Sequence, residues 1–232
     1  MSRTARVVIP EVSLHIVHRG HDGDDTFVEE ADYRAYLEAL RFYAPRFGCS
    51  VHAYCLMTNH VHLLVTPHAP AACAQVMKHL AQRHSRRING KLERTGTLWE
   101  GRFFSALVPT ERYALNCYRY IECNPVRPTM VAHPTLYRWS SYHANSGAAP
   151  EGFLTPHPAY LALGGDPTRQ ASAYAALCNT PLDAKELDEI RKATRSGHAI
   201  GAERRPRGRP KAVTEENGDC HHLKFCFWRS PA

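Results

Sequence analysis

The sequence has no Cys-x-x-Cys pair. Its eight cysteines stand at 49, 55, 73, 117, 123, 178, 220 and 226, without the spacing of a zinc ribbon, so a Cys-ligated structural zinc is excluded and reduced, partly buried thiols are expected. No apolar run is long enough to span a bilayer, and the opening MSRTARVVIPEV has no apolar signal core; the expected location is the cytoplasm. No internal repeat is present, which excludes a solenoid. Acidic residues are in deficit, 22 against 29 Lys and Arg for a net charge of +7, and such a balance favours polyanionic partners. What the chain does have is core material: 44% hydrophobic and 22% charged residues among 232 suit one ordinary domain with an appendage, or two small domains, and exclude a largely disordered chain.

Periodicity orders the first 145 residues. SLHIVHR, 13 to 19, alternates as a strand does, and GHDGDD after it supplies turn chemistry. Tyr33, Tyr36, Leu37, Leu40 and Tyr43 recur at helical spacing between Glu29 and Phe47. SVHAYCLM and HVHLLVT, separated only by Thr58 and Asn59, predict a β-hairpin. A basic helix is expected over 71 to 90, a strand over 96 to 108, and a helix from Thr110, its cap, to Asn124, where Pro125 stops it. Strand, helix, hairpin, helix, strand, helix implies an α+β fold: a mainly antiparallel sheet with packed helices. SGAAPEG, 146 to 152, reads as a linker, and short helices are expected over 155 to 175 and 182 to 196.

The chemistry concentrates in two places. His60 and His62 stand two apart in a strand, so both imidazoles project from one face. Such a pair is a bidentate metal platform or, more commonly for strand histidines taken alone, two satisfied core histidines. Tyr120 and Asn124 are four apart before Pro125 and therefore share a helical face; a phenol and an amide placed against two imidazoles suit Mg²⁺ or Mn²⁺ and an attack on a phosphodiester. Tyr118 and Tyr113 are rival nucleophiles, although Tyr118 points about 160° away from Tyr120 and Tyr113 lacks an Asn four residues on. Of His15 and His18, on opposite faces of the first strand, at most one can approach the pair, and packing is the simpler role for both.

NHVHLL at 59 to 64, LWEGRF at 98 to 103, YIECNPVRP at 120 to 128 and WSSY at 139 to 142 together resemble a REP-associated tyrosine transposase. That group belongs to the HUH-type single-tyrosine transposases, named for histidine, hydrophobic residue, histidine, here His60, Val61 and His62. The resemblance covers roughly residues 10 to 145. It implies a ferredoxin-like or RRM-like HUH domain, with His60, His62 and Asn124 ligating the metal. It further implies that Tyr120 attacks a single-stranded, hairpin-forming DNA to give a 5'-phosphotyrosine and a free 3'-hydroxyl.

Basic residues suggest how DNA would be held. Lys78, Arg83, Arg86 and Arg87 crowd the second helix, and Arg102 and Arg127 flank the tyrosine helix. Between Arg191 and Lys211 eight Lys or Arg face one acidic residue, Glu203, and PRGRP at 206 to 210 is similar to an AT-hook core whose Arg207 and Arg209 would enter a minor groove. The expected organisation is a transposase domain over 10–145, a helical and basic DNA-binding extension over 146–211, and a tail over 212–232 with no assigned role. A monomer is preferred to a homodimer. A non-catalytic DNA-binding regulator and a metal-dependent phosphodiesterase that uses water are the competing readings.

Overall fold

The computed structural model describes residues 6–149 and 151–201. Four strands and seven α-helices follow in the order β1 (Ser13–Arg19), α1 (Glu30–Arg46), β2 (Cys49–Leu56), β3 (His60–Pro67), α2 (Ala72–Lys91), β4 (Phe104–Val108), α3 (Glu111–Glu122), α4 (Tyr142–Asn145), α5 (Pro158–Leu161), α6 (Pro167–Cys178) and α7 (Ala184–Ser196). The strands form one antiparallel sheet in the order β2-β3-β1-β4, as the alternating patterns imply. Among the described residues no helix is long and apolar enough to cross a membrane.

The sheet is covered on both sides, and the period of two decides which residue goes where. Leu14, Ile16, Val51, Leu63 and Val65 face α1 and α2 in one core; Ala53, Cys55, Leu64, Ala106 and Val108 face α3, α6 and α7 in the other. The sides exchange partway along β2, where the register slips between Val51 and Ala53. Such a bulge moves every following side chain to the opposite face.

Two expectations change. The run 96–108 is a strand only from Phe104; before it the chain turns, touching β1 through a bridge between Gly20 and Trp99, whose indole stacks on His18 at 4.0 Å. The Gly- and Pro-rich segment near 150, expected as a linker, is strapped to β2 instead: Glu151 accepts a hydrogen bond from the Tyr54 hydroxyl at 2.7 Å, and the Thr155 N–H donates to the Val51 carbonyl. Consequently 158–201 packs onto the same body as 10–145, with Ile200 N–H donating to the Leu107 carbonyl of β4.

WSSY closes the edge of the sheet. The Leu56 N–H donates to the Trp139 carbonyl and the Ser141 N–H to the Tyr54 carbonyl, so this segment satisfies backbone groups that β2 would otherwise leave open. Ser141 also donates through its hydroxyl to the buried Glu122 at the end of α3, which accepts further bonds from Asn145 (2.6 Å) and Tyr174 (2.5 Å). Burial pushes the Glu122 carboxyl up to about 7, against these three donors. One carboxyl therefore ties α3 to α4 and α6.

On the other side, the fully buried Asp32 of α1 joins both helices. It accepts from Arg87 (2.7 Å) and Lys91 (2.5 Å) of α2 and from the N–H groups of Val28 and Glu29. Burial alone would raise its pKa; the two cations and the two N–H groups outweigh this and hold it at about 2. Asp32→Ala, which takes the buried carboxylate from Arg87, leaves Lys91 with Glu29 alone and removes half of the capping box with Glu29, is expected to cost about 2–3 kcal/mol at neutral pH. Because the folded pKa lies below the unfolded one, this difference is complete above pH ~4 and disappears as pH falls through ~2. Urea unfolding of both proteins at pH 7 and pH 2.5 checks it; an equal difference at the two pH values would contradict the ion-pair origin.

Candidate active site

β1 lies beside β3 with Val17 opposite His62 and His15 opposite Leu64. His15, His62 and His60 thus share one face, diagonal neighbours across the pair. The sequence leaves His15 to packing; the structure puts it in the site, with its Nε2 3.0 Å from His62 Nδ1 and the rings stacked within 10°. His18 does fall on the other face, over Trp99.

α3 brings the second half. Thr110 caps its N-terminus, accepting from the Tyr113 N–H, and the helix ends at Glu122, so Asn124 belongs to a 3-10 turn, Asn124–Val126, rather than to α3 itself. Tyr120 and Asn124 nevertheless meet the histidines together. The Asn124 amide nitrogen stands 2.7 Å from His62 Nε2, and the Tyr120 ring is edge-on to both His62 (5.7 Å) and His15 (5.5 Å). The rival tyrosines are placed otherwise. Tyr118 is fully buried beneath α5 and α6, its hydroxyl accepting from the His157 N–H, while Tyr113 packs against the second core beside Gly201.

The hydrogen-bond partners decide which nitrogen of His60 is free. Asn59 donates its amide to the Gly23 carbonyl, which turns its oxygen toward His60 Nδ1 at 2.6 Å. The proton of His60 is therefore on Nδ1 and its lone pair on Nε2. Burial lowers all three histidine pKa values, His15 to about 3, His60 to about 4 and His62 well below its ordinary value, with Arg127 adding in each case and Arg19 also beside His60. Neutral imidazoles with bonded second nitrogens are what a divalent cation requires. No group of three or more His, Cys, Asp or Glu suited to a metal occurs among the described residues. The donor set is two imidazoles and the Asn124 amide, which offers its oxygen after a half-turn about χ2. These residues fit a divalent metal.

The cleft, about 680 Å³, is lined on one side by these groups and on the other by α7. Arg19, Arg127, Arg191 and Arg195 line it against a single acid, Glu100. Arg127 lies 4.2 Å over the Tyr120 ring and donates to the Tyr120 carbonyl at 2.6 Å; burial lowers its pKa from the arginine value. The exposed ring of Phe104 stands at the mouth. Of Lys78, Arg83, Arg86, Arg87, Arg102 and Arg127, the described residues expected individually to hold DNA, Arg127 lines this cleft. Lys78, Arg83 and Arg86 are on the exposed side of α2, which packs on the opposite face of the sheet, Arg87 is bound to Asp32, and Arg102 is exposed just before β4. Arg207 and Arg209, with the AT-hook-like core and the tail, lie outside the described residues. Arg191 and Arg195 belong to the tract recognised as basic, but their place over the histidines had no signal in the sequence.

Residues 9–124 match the family described as transposase, IS200 like. No curated protein matches the chain. Among solved structures, a REP-associated tyrosine transposase bound to a REP hairpin is similar in fold, with a TM-score of 0.52 and 16% identity over 68% of this chain and 96% of that chain. A transposase-like protein of Deinococcus radiodurans R1 is 19% identical over 49% of this chain and 91% of that chain, at a TM-score of 0.36 too low to carry an argument.

The bond from Asn59 makes a testable demand on any metal that His60 would hold. Asn59→Ala frees His60 to place its proton on either nitrogen and is expected to weaken Mn²⁺ binding about tenfold, whereas His62→Ala should abolish it. Titration calorimetry on the purified protein measures both, and wild-type affinity in Asn59→Ala would remove Asn59 from the site.

Proposed function

Since the chain belongs to the IS200-like transposase family, we propose that it cleaves and rejoins single-stranded, hairpin-forming DNA with Tyr120 as nucleophile, and that His60, His62 and Asn124 hold the divalent cation the reaction uses. The observation that carries this reading is the convergence of Tyr120 and Asn124 on His62 at the floor of an arginine-lined cleft. A metal with two neutral imidazoles and an amide oxygen as ligands, Mg²⁺ or Mn²⁺, would withdraw charge from a phosphate oxygen and orient the phosphate. The REP hairpin held by the fold relative supports a hairpin as the substrate.

Tyr120 Oη forms a bond to phosphorus while the bond from phosphorus to the 3'-oxygen breaks. The phenolic proton leaves the nucleophile, the departing 3'-oxygen gains one, and the product is a 5'-phosphotyrosine with a free 3'-hydroxyl. Attack by a 3'-hydroxyl on that phosphotyrosine reverses the exchange and rejoins a strand, so the ester bond is kept and no external energy source is needed. Arg127, beside the Tyr120 ring, and Arg191 and Arg195 on α7 provide positive charge for the phosphates, and Phe104 offers a face on which a base stacks. Tyr120 meets His62 of its own chain, which supports a monomer as the acting unit.

A labelled hairpin oligonucleotide with Mn²⁺ is expected to give a denaturation-resistant covalent adduct with wild type and with Tyr118→Phe, and none with Tyr120→Phe or after EDTA. An adduct surviving in Tyr120→Phe would remove Tyr120 as nucleophile; cut product without any trappable adduct would favour water as the nucleophile, and binding without product a regulator. The placement of charge is tested separately. Arg191→Ala and Arg195→Ala should each reduce the slope of log K against log salt for a single strand by about 0.7, while Arg86→Ala, across the sheet, should leave it unchanged. The reverse pattern would put the DNA on α2.

A further inference from the structure

Thr194 of α7 lies beyond the residues that match the family, yet it touches the site. Its Oγ1 is 3.0 Å from His15 Nδ1, and His15 Nε2 is 3.0 Å from His62 Nδ1. We infer that Thr194 and His15 are positioning residues that force His62 into the one tautomer able to bind a metal through Nε2. The inference rests on the proposed role of His62 as a ligand.

The argument is a count of hydrogens along the chain. Thr194 has one hydroxyl proton, and it is donated to the Ile190 carbonyl one turn back, at 2.8 Å. Toward His15 the hydroxyl can then only accept, so His15 must carry its proton on Nδ1. A neutral His15 protonated there has a bare Nε2, which must accept from His62. The His62 proton is thereby fixed on Nδ1, and its Nε2 lone pair faces the cleft, where Asn124 stands at 2.7 Å. Reversing any link reverses all: if Thr194 donated to His15 instead, His62 would carry its proton on the nitrogen that faces Asn124, and that nitrogen would have no lone pair for a metal.

All three groups are buried, His15 at 1%, His62 at 4% and Thr194 at 7% exposure, so water has little access with which to supply alternative partners. The bond from Thr194 to the Ile190 carbonyl is internal to α7, which makes the polarity of the relay a property of that helix. His62 thus has a counterpart to the Asn59 that orients His60: one ligand is set from its own hairpin, the other from a helix about 130 residues further on. The arrangement makes α7 part of the metal site as well as a wall of the cleft.

Thr194→Val keeps shape and volume while removing the acceptor, and Thr194→Ser restores it. Long-range ¹H–¹⁵N spectra of the imidazoles in the metal-free full chain, assigned against His62→Gln, report the tautomer directly. Wild type and Thr194→Ser are expected to show His62 protonated on Nδ1 alone, and Thr194→Val a mixture with Nε2-protonated ring. In calorimetry the valine variant should bind Mn²⁺ about tenfold more weakly, with serine within twofold of wild type. A His62 protonated on Nε2 in the wild type, or a valine variant with unchanged tautomer or unchanged affinity, would overturn the relay. Wild type that binds no Mn²⁺ would count against the proposed reaction, and the tautomer signals would then decide the relay by themselves.

Discussion

The antiparallel pairing of β1 with β3 is the constraint from which the rest follows. It buries the middle of the sheet on both sides, and its register sets His15 diagonally beside His62 while sending Leu14, Ile16 and Leu63 to the opposite core. A slip of one residue would exchange these sets, placing imidazoles among α1 and α2 and leucines in the cleft. The apolar cost of that exchange protects the site. Its geometry is inherited from core packing and needs no separate device.

The tyrosine helix depends on a second, polar constraint. Glu122 is followed two residues later by Asn124, and its carboxyl is held by Ser141, Asn145 and Tyr174. A buried carboxyl with three donors is costly to break at any one of them, so the end of α3 is held to α4 and α6 where Asn124 must meet His62. This relates two of the sequence motifs to each other: YIECNP supplies the tyrosine, the acid and the amide, and WSSY supplies the serine that grips the acid while its backbone closes the edge of β2. Residues separated by 19 or more positions therefore act as one structural unit.

Much of this was legible before any coordinates. β1 and the β2–β3 hairpin came from alternation, α1 to α3 from helical spacing and caps, and the sharing of a site by His60, His62, Tyr120 and Asn124 from spacing and motif resemblance. Where the reading erred, a local pattern imitated something else. The run 96–108 reads as one strand, but Leu98, Trp99 and Phe103 plug the first core ahead of β4. The segment around Gly147 and Gly152 has the composition of a linker, but it is tethered to β2 by backbone bonds, by the His52 imidazole on the Thr155 carbonyl and by a Tyr–Glu pair, which composition does not register. His15 could not be assigned because only strand order places β1 next to β3, and Thr194 could not because α7 reaches the site through tertiary packing. That the exposed basic residues of α2 lie across the sheet from the cleft was not legible for a related reason: charge density along a sequence does not say which face of the sheet a helix covers. A fold shared with a solved transposase at 16% identity fits this division, since many sequences satisfy face alternation.

The cleft separates two electrostatic tasks that would conflict if the same groups carried them. A lone pair for a metal needs an unprotonated imidazole; attraction for phosphate needs fixed positive charge. Burial and neighbouring arginines keep His15, His60 and His62 neutral far below physiological pH, while Arg19, Arg127, Arg191 and Arg195 retain their charge. The arginines thus help to leave the imidazoles unprotonated. They also raise the local positive potential, which disfavours a divalent cation until negative charge is supplied, and among the described residues lining the cleft Glu100 is the one acid. In the proposed reaction, a phosphodiester between α7 and the sheet would bring negative charge to both sets of groups at once.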